Sequence, residues 1–214
     1  MIKIVIADDH AVVREGLKRI ISSANDMAVL GEAANGVELL QRVRELDFHV
    51  LVLDLSMPGR SGMELIKMVH CEKPRLRILV LSMHEELQYA VRAIKSGASG
   101  YLTKESAPAQ LIQVLRKVAA GGAFISSDVA EQLALNSMLG SGCAAHERLT
   151  DREFEVFRLI ATGMSVTNIA ARLILSAKTI STHKANLMQK MSLQNQSELI
   201  RYAIKHGVAE PLEP

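Results

Sequence analysis

The chain has 214 residues, enough for one large domain or two small ones with separate cores, and at 49% hydrophobic, 22% charged and a formal net charge of +2 it suits a soluble globular protein. Aromatics make up only 3%, so aliphatic cores are expected, and the isolated Cys71 and Cys143, without a CxxC or a Cys/His cluster, are expected to be reduced structural thiols. No run approaches the roughly 18 apolar residues of a membrane span, and the amino terminus turns acidic at Asp8, too soon for a signal peptide; a cytoplasmic protein without membrane partners is expected.

Along the first 120 residues, apolar runs at 2–7 (IKIVIA), 28–33, 49–53 (HVLVL), 77–81 (RILVL) and 98–102 predict five strands. Amphipathic segments near 12–24, 35–46, 61–72, 85–96 and 107–120 predict five helices between and after them. This alternation implies an α/β doubly wound, five-stranded parallel sheet covered on both faces. Binding sites in such sheets lie beyond the carboxyl ends of the strands. Gly121-Gly122 stops the fifth helix, 127–139 reads as a short helix, and GSGCAAHE at 140–147 has the composition of a flexible linker, where a domain boundary is expected.

The remainder reads as four short helices. Thr150 and Glu153 match a capping box opening a helix through about Ala161, with Gly163 as its stop. Ser165 can cap a second helix through about Leu173, Ser176 a third over 177–190, and Ser197 a fourth ending at Gly207. The short gap between the second and third suits a helix-turn-helix. Charge is uneven: residues 148–214 carry nine bases against six acids, and no acid stands between Glu155 and Glu198. A nucleic-acid surface and a solvated helical face both fit that charge pattern alone.

Asp8 and Asp9 follow the first predicted strand, Asp54 the third, Ser82 the fourth, and Thr103-Lys104 the fifth, so one sheet edge gathers three carboxylates, a hydroxyl and an ammonium. Like charges about 4 Å apart repel by roughly 4 kcal/mol at an effective dielectric near 20, which a divalent cation and a lysine would offset. Mg2+ suits such an oxygen-rich set. An exposed carboxylate beside it is suited to accept a phosphoryl group, with metal, lysine and hydroxyl on the three equatorial oxygens. Pro58 and Gly59 would turn the chain sharply and leave the Asp54 face open.

ADDH at 7–10, LDLSMPGRSG at 53–62, Ser82 and Lys104 resemble the receiver domain of two-component response regulators. The resemblance implies that Asp54 accepts phosphate from a histidine kinase. It implies that Asp9 and Asp54 ligate Mg2+ with the backbone carbonyl of Ser56, that Asp8 acts through water, and that Lys104 pairs with the phosphoryl group. Ser82 and Tyr101 resemble the family's switch pair. One departure is visible: Lys104 precedes Glu105, where many receivers have proline. Kinase docking is expected near His10, Val13, Arg14 and Leu17.

In the predicted third helix of the carboxy-terminal part, Ile180, Leu187 and Met191 share one inward stripe. Lys178, Ser181, Thr182, Ala185 and Gln189 fall on or near the opposite face, which is short-chained and free of acid, and Lys184, Asn186 and Lys190 flank it. LTDREFEVFRLIATG followed by IAARLILSAKTISTHKANLMQKM resembles the LuxR-type helix-turn-helix, and with the receiver it points to the NarL/FixJ subfamily. The expected layout is a receiver at 1–122, a linker with a short helix at 123–147 and a DNA-binding domain at 148–214. The implied DNA contacts are Lys178, Thr179, Ser181, Thr182, Lys184, Ala185, Asn186 and Lys190, with homodimers on phosphorylation or on DNA held through Leu199, Tyr202 and Ala203. Asn168 stands where the family's second helix usually carries Glu, and Phe157 where leucine is usual. The expected function is a non-enzymatic, phosphorylation-switched regulator binding a duplex operator. One rival is a magnesium-dependent aspartyl-phosphate phosphatase, disfavoured because Ser56 stands where a second Asp would serve as general acid. The other is a phosphorylation-independent adaptor.

Overall fold

The computed structural model describes residues 1–83, 87–138 and 144–208. Cys143, the first half of the expected 140–147 linker and the first two residues of the expected 85–96 helix lie outside them. The chain divides into two compact units, Met1–Gln132 and Leu133–Pro214. The division falls inside the 123–147 segment.

The first unit alternates β1 (Ile2–Ala7), α1 (Ala11–Ser22), β2 (Met27–Ala33), α2 (Gly36–Glu45), β3 (Val50–Asp54), α3 (Gly62–Glu72), β4 (Arg77–Ser82), α4 (Leu87–Lys95), β5 (Gly100–Thr103) and α5 (Ala107–Ala119). All neighbouring strands pair in parallel, in the order β2-β1-β3-β4-β5. The central β3 is buried along its whole length because helices cover both of its faces. Its carboxyl end and those of β1, β4 and β5 come out side by side, with Ala7 opposite Leu53, Asp54 opposite Leu81 and Ser82 opposite Thr103. One core face is aliphatic, as the composition predicts: Ile4, Ile6, Val52, Leu79, Leu81, Leu111 and Val114 pack together.

Past α5 the chain runs along the free edge of β5. Tyr101 N donates to Phe124 O at 3.0 Å and Phe124 N to Ser99 O at 3.1 Å, closing an edge that would otherwise present unpaired backbone groups. Helix α6 (Ser127–Met138) follows, and Val129 on it is buried.

The second unit holds a 3-10 helix (Ala145–Arg148), α7 (Asp151–Ala161), α8 (Val166–Leu173), α9 (Ala177–Met191) and α10 (Gln196–Lys205). The Thr150–Glu153 capping box forms in both directions, and Ser165 and Ser176 cap α8 and α9 as their positions predict. At Asn168 only the backbone N–H bonds to Ser165 Oγ. Helix α10 starts earlier than expected: Asn195, not Ser197, accepts from Glu198 N at 2.9 Å. Here the aliphatic-core expectation fails. Phe154 and Phe157 are fully buried 6.1 Å apart, and Tyr202 meets Phe157 at 6.3 Å, so three of the chain's seven Phe and Tyr residues fill one small core.

Candidate functional site

The loops after β1, β3 and β5 bring Asp8, Asp9, Asp54 and Lys104 to one pocket. Lys104 Nζ lies 2.6 Å from Asp8 Oδ2 and 2.8 Å from Asp54 Oδ2, bridging two carboxylates in charge-assisted hydrogen bonds. The other Asp54 oxygen, Oδ1, accepts from Ser56 N at 3.0 Å. Asp8 Oδ1 accepts from His10 N at 2.8 Å, and the Asp8 carbonyl from Arg14 Nη1 at 2.7 Å.

Burial pushes the Asp54 carboxyl above its ordinary pKa, an effect that the Lys104 hydrogen bond and charge oppose without cancelling. Burial also works against the Lys104 charge, yet the hydrogen bonds to Asp54 and Asp8 outweigh it and raise the lysine. The lysine therefore stays an ammonium.

The expectation of an exposed Asp54 is overturned. The residue is 1% exposed, because Lys104 covers one oxygen and the Ser56 N–H the other. The turn that leads away from it depends on two glycines. Gly59 adopts φ +97°, and a Cβ on Gly62 would lie 2.7 Å from Leu55 Cα, so α3 can begin this close to β3 only with glycine there.

Asp8, Asp9, His10 and Asp54 each offer a ligand atom within 4.8 Å of the others. Asp9 Oδ1 is buried and accepts no hydrogen bond, although His10 Nδ1 stands 3.0 Å away. A buried carboxylate oxygen without a donor is costly. The donor set of carboxylates fits a divalent cation.

Ser82 is fully buried at the end of β4, and its carbonyl accepts from Lys104 N at 2.8 Å, tying the β4 and β5 ends together. Tyr101 is buried to 8% exposure and lines a cavity of about 310 Å³ with Leu87, Ala90, Thr103, Ser106, Phe124 and Val129. After Lys104 the peptides are trans, and Ser106 N donates to Thr103 Oγ1 at 3.3 Å, a hydrogen-bonded turn where other receivers place proline.

The α1 surface differs from its expectation. Leu17 belongs to the core, Val13 packs against it, and Arg14 is held by Glu32 at 3.0 Å as well as by Asp8. The large apolar side chain that α1 does expose is Val12, at 86%.

In the second unit, Ile180, Leu187 and Met191 are buried, while Lys178, Ser181, Thr182, Ala185, Asn186 and Gln189 are exposed. Thr179 and Lys184 are half-buried, with Thr179 N on Ser176 Oγ at 3.0 Å and Lys184 Nζ on Gln196 Oε1 at 2.8 Å. Ser181 Oγ donates to Ala177 O and Thr182 Oγ1 to Lys178 O, so each hydroxyl presents its oxygen outward as an acceptor. Lys190 is exposed along α9 while its ammonium lies 2.9 and 2.6 Å from the two oxygens of the buried Glu153. Leu199 and Ala203, expected at a dimer contact, are fully buried in their own unit, and Tyr202 hydroxyl is 3.0 Å from His146 Nδ1. These two are core, so they cannot form a dimer surface while the unit is folded.

Comparison with known proteins agrees in both units. The family "Response regulator receiver domain" matches residues 4–116, and "Bacterial regulatory proteins, luxR family" matches residues 147–203. The oxygen regulatory protein NreC of Staphylococcus carnosus is 38% identical over 210 residues, covering 95% of this chain and 97% of that one. The solved RcsB response regulator of Salmonella typhimurium superposes with a TM-score of 0.71 at 32% identity, covering 96% and 98% of the two chains. RcsB bound to a promoter in the presence of phosphomimetic BeF3- matches at a TM-score of 0.66 and 34% identity, covering 94% and 97%.

Proposed function

This chain belongs to the NarL/FixJ-type response regulators, DNA-binding transcription regulators that join a receiver to a LuxR-type helix-turn-helix, and we propose that phosphorylation of Asp54 by a histidine kinase is its switch. The observation that carries the proposal is the Lys104 ammonium bridging Asp8 and Asp54 at the carboxyl edge of the sheet. The chemistry needs one oxygen of Asp54 to form a P–O bond as the donor's P–N bond breaks. The electron pair of that bond returns to the donor imidazole. Lys104 leaves its carboxylate partners and follows the charge onto the phosphoryl oxygens. Ser82 supplies a hydroxyl to a second oxygen, and Tyr101 turns with it.

Asp9, Asp54 and the backbone carbonyl of Ser56 would hold Mg2+, with Asp8 acting through water. When bound, the ion neutralises charge on the equatorial oxygens. The residues of the chain accept, orient and stabilise; they turn over no substrate, and Ser56 leaves no carboxylic acid where a phosphatase would need one.

Acyl phosphate formation takes the side chain from about −1 to about −2 and adds acceptor oxygens. To change output it must favour one domain arrangement or dimer by a few kcal/mol. DNA is read by α9, with Ser181, Thr182 and Ala185 toward bases and Lys178, Thr179, Lys184 and Asn186 toward phosphates. Lys190, exposed on α9, stands with these phosphate contacts while its ammonium also pairs with Glu153. Two dimers of RcsB have been solved on two parallel DNAs, and homodimeric DNA binding is carried over to this cytoplasmic chain on that likeness. An adaptor that ignores phosphate is the rival reading.

The test is labelling by acetyl phosphate with Mg2+, read by intact mass, followed by binding to selected duplex DNA. Wild type should gain one phosphoryl group and bind more tightly, and Asp54→Asn should do neither while keeping its circular dichroism. Labelling retained by the variant would place the acceptor elsewhere, and unchanged DNA affinity would favour the adaptor.

A further inference from the structure

His10 occupies the N-cap position of α1, where Ser, Thr, Asp or Asn would normally cap. Its side chain makes no cap hydrogen bond. The imidazole instead leans over the pocket, 64% exposed, with Nδ1 3.0 Å from Asp9 Oδ1 and 3.4 Å from Asp8 Oδ1. Two ligands each about 2.1 Å from one zinc ion stand about 3.0 Å apart at a right angle and about 3.4 Å apart at the tetrahedral angle. The two edges that meet at Nδ1 therefore have the lengths of ligand pairs on one ion, and the ligand atoms of Asp8, Asp9, His10 and Asp54 all lie within 4.8 Å of one another. Lys104 engages the other oxygen of Asp8, Oδ2, so Asp8 Oδ1 carries only the His10 N–H and keeps a lone pair for an ion.

We propose that His10 is a metal ligand of this pocket and that, through it, the pocket accepts a Zn2+-class transition ion in competition with Mg2+. The inference rests on the reading of the pocket as a cation site. Magnesium gains little from an imidazole, since it takes oxygen ligands and keeps its waters. Zinc, nickel and copper favour imidazole nitrogen, and their affinities for mixed N/O sites exceed those of harder ions. One residue thus gives the pocket two modes: oxygen ligands alone for Mg2+, and oxygen with His10 nitrogen for the softer ion. Zinc in the pocket would occupy carboxylates that the phosphoryl-accepting state requires.

The full-length chain is titrated with Zn2+ alone and with Mg2+ alone at one fixed pH, following the amide NMR signals of residues 8–10 and 54. These signals report the pocket and not the six other histidines. His10→Ala should weaken Zn2+ binding about tenfold or more while changing Mg2+ binding by less than about twofold. Asp9→Asn should weaken both. Co2+ added to wild type should show visible bands that shift in His10→Ala, the signature of a lost nitrogen ligand. The proposal is overturned if His10→Ala leaves Zn2+ binding unchanged, or if it weakens Zn2+ and Mg2+ equally. Failure of Asp54 labelling beside His10-dependent zinc binding would remove the switch and keep this site. Intact labelling with zinc binding indifferent to His10 would do the reverse.

Discussion

Asp54 has both carboxylate oxygens occupied, Oδ1 by the Ser56 N–H and Oδ2 by the Lys104 ammonium, and burial still holds its pKa above the ordinary value. A raised acid binds its proton more tightly in the folded state than in the unfolded one. Its contribution to stability is full below the unfolded pKa and is lost as pH rises through the folded pKa. At neutral pH the ionised group therefore works against the fold. In chelator, Asp54→Asn should melt at a higher temperature than wild type at pH 7, and the gap should close as the pH falls into the acidic range. A lower melting point would mean that the lysine pairing outweighs the desolvation. Glu153 has the opposite sign: burial alone would raise it, but Lys190 and the Thr150 cap lower it overall. Its contribution is present above the ordinary glutamate range and lost as pH falls through the folded value. Glu153→Gln keeps an oxygen for the Thr150 N–H of the capping box but removes the ion pair with the part-exposed Lys190. The loss should be about 1 kcal/mol in the urea unfolding of the second unit. Neither burial was legible in the sequence: Asp54 read as an exposed carboxylate and Glu153 only as a capping residue, because the lysines that meet them stand 50 and 37 positions away.

The helix ends show why some elements were legible and others were not. Thr150, Ser165 and Ser176 are side chains whose oxygen can satisfy a free N–H, and each caps the helix its position predicts. Gly163 marks the end of α7 because it alone there takes φ +80° without a Cβ clash. The cap expected at Ser197 is Asn195 instead, because Glu198 N donates to Asn195 Oδ1 while the Glu198 carboxylate accepts from Gln194 N at 2.7 Å. The 3-10 helix at Ala145–Arg148 is too short to show a period. The turn between α8 and α9 falls where its caps place it, but its backbone conformation was not legible. Ile174 adopts φ 53°, with Leu175 N on Ala170 O at 2.9 Å, the hydrogen bond that a glycine would usually allow. A β-branched residue there stores about 1–2 kcal/mol of left-handed strain. Its side chain is 67% exposed and contributes little packing in return. Ile174→Gly should raise the stability of the second unit by about 0.5–1 kcal/mol after the glycine's chain entropy is subtracted. Ile174→Ala, which keeps the Cβ, should gain much less. Urea midpoints of the two variants check both, and equal midpoints would show that the strain is absent.

Across the whole molecule, the receiver was legible because four separated strands each end on or next to a charged or hydroxyl residue at one sheet edge, and no long-range knowledge is needed beyond the strand order. The DNA face was legible in outline because a 3.6-residue period separates Ile180, Leu187 and Met191 from an acid-free surface. The kinase and dimer surfaces were not, because a stripe of apolar residues does not reveal whether its own core already covers it, as with Leu17, Leu199 and Ala203. The two units carry separable chemistry, and that has a measurable consequence. Affinity for DNA depends on salt through the number of phosphates neutralised, with a slope of about −0.9 per contact on duplex. If phosphorylation of Asp54 only shifts the population competent to bind, it multiplies the affinity and leaves the contacts in the bound complex unchanged. Plots of log affinity against log salt for phosphorylated and unphosphorylated protein should then run parallel, displaced by the population shift. Lys178→Ala should flatten both by about one contact, because its exposed ammonium has only the phosphate to meet. Lys190→Ala should lower the stability of the second unit and flatten the slope by less than Lys178→Ala does, since its ammonium is shared with Glu153. Lines that converge on phosphorylation would show instead that the receiver alters the contacts themselves.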